Sequence, residues 1–385
     1  MKEVYLDNNA TTRVADEARE AMLPYLTELY GNPSSMHLFG GQTHRRIEEA
    51  RAEVAALINA EPEEIIFTSC GTESDNTAVM SALETSRKKH IITTRVEHPA
   101  VLNFCKTMAR RGFNITIVPV DKLGRIDLRN LERSITENTA VVSIMYANNE
   151  SGVIFPIKKI CEIVKPKGVI LHTDAVQAVG KIPVDVKNLP VDMMSISGHK
   201  IHAPKGIGAL YVRKGVRFSP YIIGGHQERG RRSGTENVAS IIAFGKACVL
   251  AKDNIDIENT KVKKLRDRLE DGLLSTCPDA MVNGDTESRL PNTANISFEY
   301  VEGEAILLRL NEYNICASSG SACASGSLEP SHVLRAMGVP FTAIHGSIRF
   351  SLSRYTTDEE IGLVLQKMPE IIRDLRSLSP FGRET

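Results

Sequence analysis

No stretch of the 385-residue chain approaches the ~20 consecutive apolar residues that a membrane-spanning helix needs. The amino terminus, MKEVYLDNNATT, lacks the apolar core of a secretory leader. Charge of either sign in excess is also missing: 47 basic and 47 acidic residues cancel, which argues against nucleic acid or an anionic membrane as partner. The seven cysteines are odd in number and form no CxxC pair, so a disulfide framework is not expected and a reducing, cytoplasmic setting is. No internal repeat or low-complexity segment is visible. What is present, 42% hydrophobic residues, suffices for one large core and a smaller second one.

The stretch SISGHKIHAPKGIGALYV, residues 195–212, anchors the rest. An apolar run from Val191 to Ile196 ends in Ser197, Gly198, His199 and Lys200, and a turn with Pro204, Gly206 and Gly208 leads into a second β-rich run. This pattern predicts Lys200 just past a buried strand, before a sharp return. A desolvated lysine there can act as an amine nucleophile, although a solvated lysine is the simpler reading of this stretch taken alone.

Upstream, residues 1–14 read as a lead-in arm, a helix is expected to run to Tyr30 with a kink at Pro24, and Ile47, Ala50, Val54, Leu57 and Ile58 mark an amphipathic helix. The run Glu64 to Thr68 predicts a strand, followed by Ser69, Cys70, Gly71 and Thr72; Thr72 with Asp75 three residues on resembles a capping box. A strand, a glycine turn and a helix start together make an anion site. Strands are expected near 91–96, 115–120, 140–146 and 168–173, mostly separated by helices, which implies a mostly parallel sheet. Glu97–His98, Asn148 to Glu150, and Asp174 with Gln177 all fall past strand ends, on the edge where such sheets bind ligands.

The Gly- and Arg-rich segment GGHQERGRRSGTEN, residues 224–237, reads as a loop before a helix near Glu236, with Thr235 a candidate second phosphate contact. Asp253 to Thr260 reads as a hinge into a smaller α+β unit with strands near 293–298 and 346–352 and a last helix opened by Thr357 and Glu360. In that unit Cys323 lies among small residues in ASSGSACASGS, a setting that suits a reactive thiol. Arg349, in an alternating strand, suits bidentate capture of a carboxylate.

These parts have a common use. Lys200 can form a Schiff base with an aldehyde cofactor whose phosphate sits at Gly71–Thr72, while Asp174 keeps a pyridine nitrogen protonated, which is pyridoxal 5′-phosphate chemistry. The spacing of Asp174 and Gln177 can present both to one ring.

LDNNATT, GNPSSMH, FTSCGTESDN, VEHPAV, ANNESG, HTDAVQ, SGHK, GGHQERGRRSGTEN, SGSACASGS and IRFSLSR together resemble a cysteine desulfurase of the NifS/IscS type, nearly end to end. GGHQERGRR and HKIHAPKG lean toward the nitrogenase-associated branch. Two departures, His202–Ala203 for the Tyr-Gly common in the housekeeping branch and Ala324 for Thr, bear on branch and sulfur acceptor. The resemblance implies an aspartate-aminotransferase-like α/β fold (pyridoxal-phosphate fold type I). Its mostly parallel sheet would lie in a large domain, residues 15–255. A small domain, residues 256–385, would be joined by the arm 1–14. It also implies a homodimer, L-cysteine as substrate, and an iron–sulfur scaffold protein of the IscU/NifU type as acceptor. Lys200 would carry the cofactor and shuttle the Cα proton; Asp174 would pair the ring nitrogen, Gln177 its phenolic oxygen, and His98 would stack on the ring and help move protons. Gly71, Thr72, Ser197 and His199 would hold the phosphate, with Thr235 reaching in from the other subunit. Asn148 and Arg349 would meet the substrate carboxylate, Asn148 also near the cofactor. Cys323 would receive the sulfur as a persulfide. The rivals are an aminotransferase or selenocysteine lyase on the same fold, and a non-catalytic assembly platform in which Cys323 ligates an iron–sulfur cluster shared with a scaffold.

Overall fold

Neighbouring residues in the central strands point to opposite sides, and both sides are buried. Phe67, Met194 and Tyr211 enter one core while Ile66, Met193 and Leu210 enter another, so these strands are covered by helices on both faces. The computed structural model describes residues 3–319 and 330–379. Its strands, in chain order, are β1 (Val4–Tyr5), β2 (Ile65–Thr68), β3 (His90–Thr94), β4 (Asn114–Val118), β5 (Thr139–Ser143), β6 (Ile170–Asp174), β7 (Met193–Ser197), β8 (Gly208–Val212), β9 (Ala280–Val282), β10 (Thr293–Phe298), β11 (Ile315–Cys316) and β12 (Ser347–Ser351).

Seven of them form one sheet in the order β2-β8-β7-β6-β5-β3-β4. Only β8 runs against its neighbours, β2 and β7; the other pairings are parallel. The chain moves outward from β3 to the edge strand β4, then returns to the other side of β3 as β5. Such a reversal opens a crevice beyond the carboxyl ends of the strands. Helices Leu38–Leu57 and Val238–Asp253 cover one face, contributing Val54 and Phe244. Helices Gly71–Ser86 and Pro99–Arg110 cover the other, contributing Val79 and Phe104.

A second core gathers Leu269, Phe298, Ile348, Phe350 and Val364 with Val4 and Leu6 from the amino terminus. Here β10 pairs antiparallel with β12 and β9, and β1 pairs parallel with β11. The final helix, Asp358–Leu378, begins with the expected capping box of Thr357 and Glu360.

Two local expectations need correction. Helix Gly71–Ser86 is entered through Cys70, and Thr72 and Asp75 make no capping box; Asp75 is turned inward and buried. The expected hinge, residues 253–260, is wound rather than open. Ile255–Ile257 runs into a π-turn, Glu258–Val262, and on into the helix Lys263–Thr276, with Glu258 buried at the insertion. Among the described residues no helix is long and apolar enough to cross a membrane.

Candidate functional site

The carboxyl ends of β2, β3, β5, β6 and β7 open on one cavity of about 860 Å³. Gly71, Thr72, His98, Asp174, Gln177, Ser197, His199, Lys200 and Arg349 all line it. Two described sequence candidates do not. Asn148 is spent inside the wall: its amide nitrogen donates to Val96 O (3.0 Å), and its oxygen accepts from the N–H groups of Glu150 and Ser151. Its neighbour Asn149 faces the cavity instead. Thr235 is exposed on the outer loop. Cys323 lies outside the described residues.

Lys200 sits in the short turn Gly198–Lys200 directly after β7. Its Nζ donates to the carbonyls of Asn9 (2.5 Å) and Ala10 (2.7 Å), so the amino-terminal arm holds it at the cavity wall. Asp174 closes β6, and its Oδ1 accepts the Val176 N–H at 2.9 Å. Burial pushes its pKa up, and Asp75, fully enclosed nearby, is pushed well above the carboxylate range by burial and by the Asp174 charge. Two carboxylates in one dry pocket do not both ionise. Asp75, whose Oδ1 has no partner, keeps the proton and leaves Asp174 to carry the charge. His172 lies 3.6 Å from Asp75, yet burial pushes its pKa down to about 3, so the ring is neutral and this is no ion pair. Its nitrogens are bound instead by Ser143 and Ser195.

Opposite, helix Gly71–Ser86 presents its first N–H groups, which have no partners within the helix. The Ser197 hydroxyl beside them is buried and finds no partner among the described residues. A Cβ on Gly71 would come within 2.9 Å of Val176 Cγ2 and 3.4 Å of Ser197 Cβ, so only glycine leaves this cup open. Backbone donors at a helix start plus an unsatisfied hydroxyl fit an oxyanion such as phosphate. With Lys200 and Asp174 on the same cavity, the donor set fits pyridoxal 5′-phosphate.

His98 opens helix Pro99–Arg110, and its Nδ1 accepts the Ala100 N–H at 3.1 Å. A neutral ring so engaged carries its proton on Nε2. Burial, then the charge of Lys200, pushes the His98 pKa down to about 4, so the ring is a proton donor at Nε2 rather than a ready base. His199 is likewise held down at about 4, by burial and then Lys200, with Nδ1 3.2 Å from the Thr11 hydroxyl. Arg349 is 2% exposed; it donates to Asn149 O (3.1 Å) and Asp7 (2.7 Å), while its Nε finds no partner.

Lys181 escaped sequence reasoning, and the structure gives Glu150 and Glu97, already expected on the ligand edge, a definite setting. Glu150, bound by the Ser331 hydroxyl, lines the cavity near Arg349, and burial pushes it up to about 7. Glu97 is pushed up to about 8 by burial. Lys181 stands behind Gln177. Glu97 and Glu150 were signalled by their place just past strand ends; Lys181 had only its nearness to HTDAVQ. Among the described residues no group of three or more His, Cys, Asp or Glu is arranged to hold a metal ion.

Comparison with known proteins agrees with this geometry. The family model described as "Aminotransferase class-V" matches residues 4–364. A cysteine desulfurase from Trichormus azollae is 62% identical over 385 residues, covering 100% of this chain and 96% of the relative. The cysteine desulfurase NifS of Azotobacter vinelandii is 57% identical over 383 residues, 99% of this chain and 95% of the relative. A solved NifS-like protein superposes with a TM-score of 0.91 at 42% identity, covering 97% of this chain and 100% of that one. The chain therefore belongs to the class-V aminotransferase family and, within it, to the cysteine desulfurases.

Proposed function

We propose that this protein takes sulfur from L-cysteine to give L-alanine, using pyridoxal 5′-phosphate, and carries the sulfur as a persulfide on Cys323. The observation that carries this reading is the single cavity shared by Lys200, Asp174 and the Gly71–Ser197 cup. When bound, the cofactor supplies an electron sink for bond breaking at the substrate carbon skeleton.

The chain's own groups do the rest. Lys200 attaches the cofactor and then takes and returns the substrate Cα proton. Asp174 holds the proton on the ring nitrogen. Gly71, Thr72, Ser197 and His199 receive the phosphate. His98 would stack on the ring and assist proton transfer, presenting its Nε2–H as a hydrogen-bond donor. The Arg349 guanidinium, which lines the cavity, would receive the substrate carboxylate, where a charge-assisted hydrogen bond is worth roughly 1.5–3 kcal/mol. The Cys323 sulfur, as thiolate, bonds to the substrate sulfur while the substrate C–S bond breaks. One cysteine and one protein thiol thus become alanine and a protein persulfide, with no outside oxidant.

The active unit is a homodimer in this reading, with Thr235 completing the phosphate site of the partner subunit. Support comes from the loop that presents Thr235. Arg232 pairs with Glu73 (2.9 Å) and Glu228 with Arg51 (2.6 Å), which holds the loop firmly while Thr235 stays exposed. The apolar side chains of Met36, Leu38 and Ile223 are exposed as well. Residues 15–255 form the cofactor unit, and the arm 1–14 with residues 256–385 forms the other; the packing of Val4 and Leu6 among Leu269 and Phe350 supports that division. The persulfide then passes to an iron–sulfur scaffold of the IscU/NifU type in the cytoplasm.

The test is persulfide mapping. After incubation with L-cysteine and alkylation, mass spectrometry should find the extra sulfur on Cys323. Cys323→Ser should bind cofactor yet release no alanine, and Cys316→Ala should stay active. Persulfide on another cysteine, or turnover by Cys323→Ser, overturns the reading.

A further inference from the structure

Lys181 is a lysine with only 5% of its surface exposed. It does not line the main cavity; it stands behind the wall, beside a pocket of about 10 Å³ shared with Lys200 and Glu258. The backbone delivers it there. Gly180 adopts φ +78°, and a Cβ at that position would come within 2.8 Å of Ile201 Cγ2. A glycine turn packed against the residue after Lys200 therefore sends the next side chain back into the core.

There its Nζ donates to Gln177 Oε1 (2.5 Å) and to Asn9 Oδ1 (3.1 Å). A side-chain amide can sit either way round unless its neighbours decide. Lysine offers N–H groups in either protonation state, so the end of Gln177 that faces it is the oxygen. On the other side, Gln177 Nε2 donates to the Asn9 carbonyl at 2.9 Å, an atom that can only accept. The amide nitrogen has two N–H groups; one is used by Asn9, and Gln177 lines the cavity.

We propose that Lys181 is a positioning residue, which fixes the Gln177 amide so that its N–H, and not its oxygen, faces the cofactor's phenolic oxygen. Nothing in Lys181 touches the cofactor; its effect runs through Gln177. The same Asn9 carbonyl that takes the Gln177 N–H also takes Lys200 Nζ, so the arm residue Asn9 links both groups. Around Lys181 the charged neighbours are Lys200, Glu258 and Arg349, and burial is the main cause of a pKa pushed down to about 7.

The inference rests on the function proposed above, and its test reads proton affinity in the holoenzyme rather than turnover. The readout is the pH midpoint of the lysine-bound cofactor's visible absorption band. A donor hydrogen bond stabilises the anionic ring oxygen and loosens its hold on the proton shared with the neighbouring nitrogen; losing that donor raises the midpoint. Lys181→Met should raise it by about one pH unit. Gln177→Ala should do the same, and the double variant should shift no further than Gln177→Ala alone. Lys181→Gln keeps an N–H donor and should stay close to the wild-type midpoint.

A wild-type midpoint in Lys181→Met overturns the inference. So does an additive shift in the double variant, which would mean the lysine acts by charge alone. Should Lys181→Met fail to fold, the other two singles decide: an unshifted Gln177→Ala, or a Lys181→Gln shifted as far as Gln177→Ala, overturns it. A wild-type chain that forms no such band with the cofactor fails the functional reading instead; a normal band indifferent to these changes fails this inference alone.

Discussion

Arg51 and Arg349 are both buried arginines, and they end very differently. Arg51 has its donors taken: Nε by Glu48 (3.0 Å), Nη1 by Glu228 (2.6 Å) and Ile65 O (3.1 Å), and Nη2 by Glu228 (2.8 Å). Glu228 is closed in turn, accepting the Phe67 N–H at 2.9 Å as well. Arg349 lines the cavity and donates to Asp7 and Asn149, but its buried Nε has no partner among the described residues. Burying an unmatched donor costs stability, and a chain keeps one where a ligand completes it. The same contrast separates two buried acids. Both Glu228 oxygens are used, whereas Glu97 offers one oxygen to Thr94 and Met145 and leaves Oε2 unmatched. Arg51 and Glu228 close on each other within the scaffold, whereas Arg349 lines the site.

That contrast breaks most visibly at Arg51. Arg51→Met strands Glu228 without its cation, and stability should fall by about 3–5 kcal/mol, read by denaturant unfolding, with cysteine turnover near normal in whatever remains folded. A loss below 1 kcal/mol would mean the closed pair carries no architecture. Arg349→Ala should behave the other way. Its kcat/KM for L-cysteine should drop roughly 100-fold or more, as expected for lost charge-assisted hydrogen bonds, and because it also leaves Asp7 without its cation the melting temperature should fall as well. A variant that melts early but turns over normally would put Arg349 in the scaffold class.

Glu97 gives the smallest effect and the clearest sign. Burial raises its folded pKa to about 8, from an ordinary 4.5. The unfolded chain releases this proton first as pH rises. The stability it contributes is therefore complete below pH 4.5 and is lost as pH climbs through 8. Glu97→Gln keeps an oxygen for Thr94 and Met145 and removes the titration. Its unfolding free energy should gain on wild type by about 2–3 kcal/mol between pH 5 and 7. A difference that stays flat with pH would show that Glu97 is ionised in the folded protein.

The sequence carried the frame of this site better than its linings. Apolar runs ending in polar residues located β3, β5, β6 and β7 closely, because strands buried on both faces read as continuous hydrophobic stretches. The Thr357 capping box was legible because nothing tertiary competes with it. Thr72 and Asp75 match the same pattern, yet Asp75 faces the buried cluster of Asp174 and His172, and packing overrides local pattern there. Residues 253–260 looked like a hinge because they are polar, but Glu258 buries itself in a π-turn. Asn148 and Asn149 both fall past the end of β5, and only the hydrogen bonds show that Asn148 is tied into the wall while Asn149 lines the cavity. Lys181 stayed hidden for a related reason: composition does not report which charged side chains a fold will enclose.

The claim on which the rest depends is that Lys200 carries the cofactor at the carboxyl edge of β7. Reduction of the holoenzyme with borohydride, digestion and peptide mass spectrometry test it directly. The pyridoxyl label should lie on Lys200, with Lys200→Ala retaining only cofactor that dialysis removes. A label on Lys181, Lys205 or any other lysine would contradict the account.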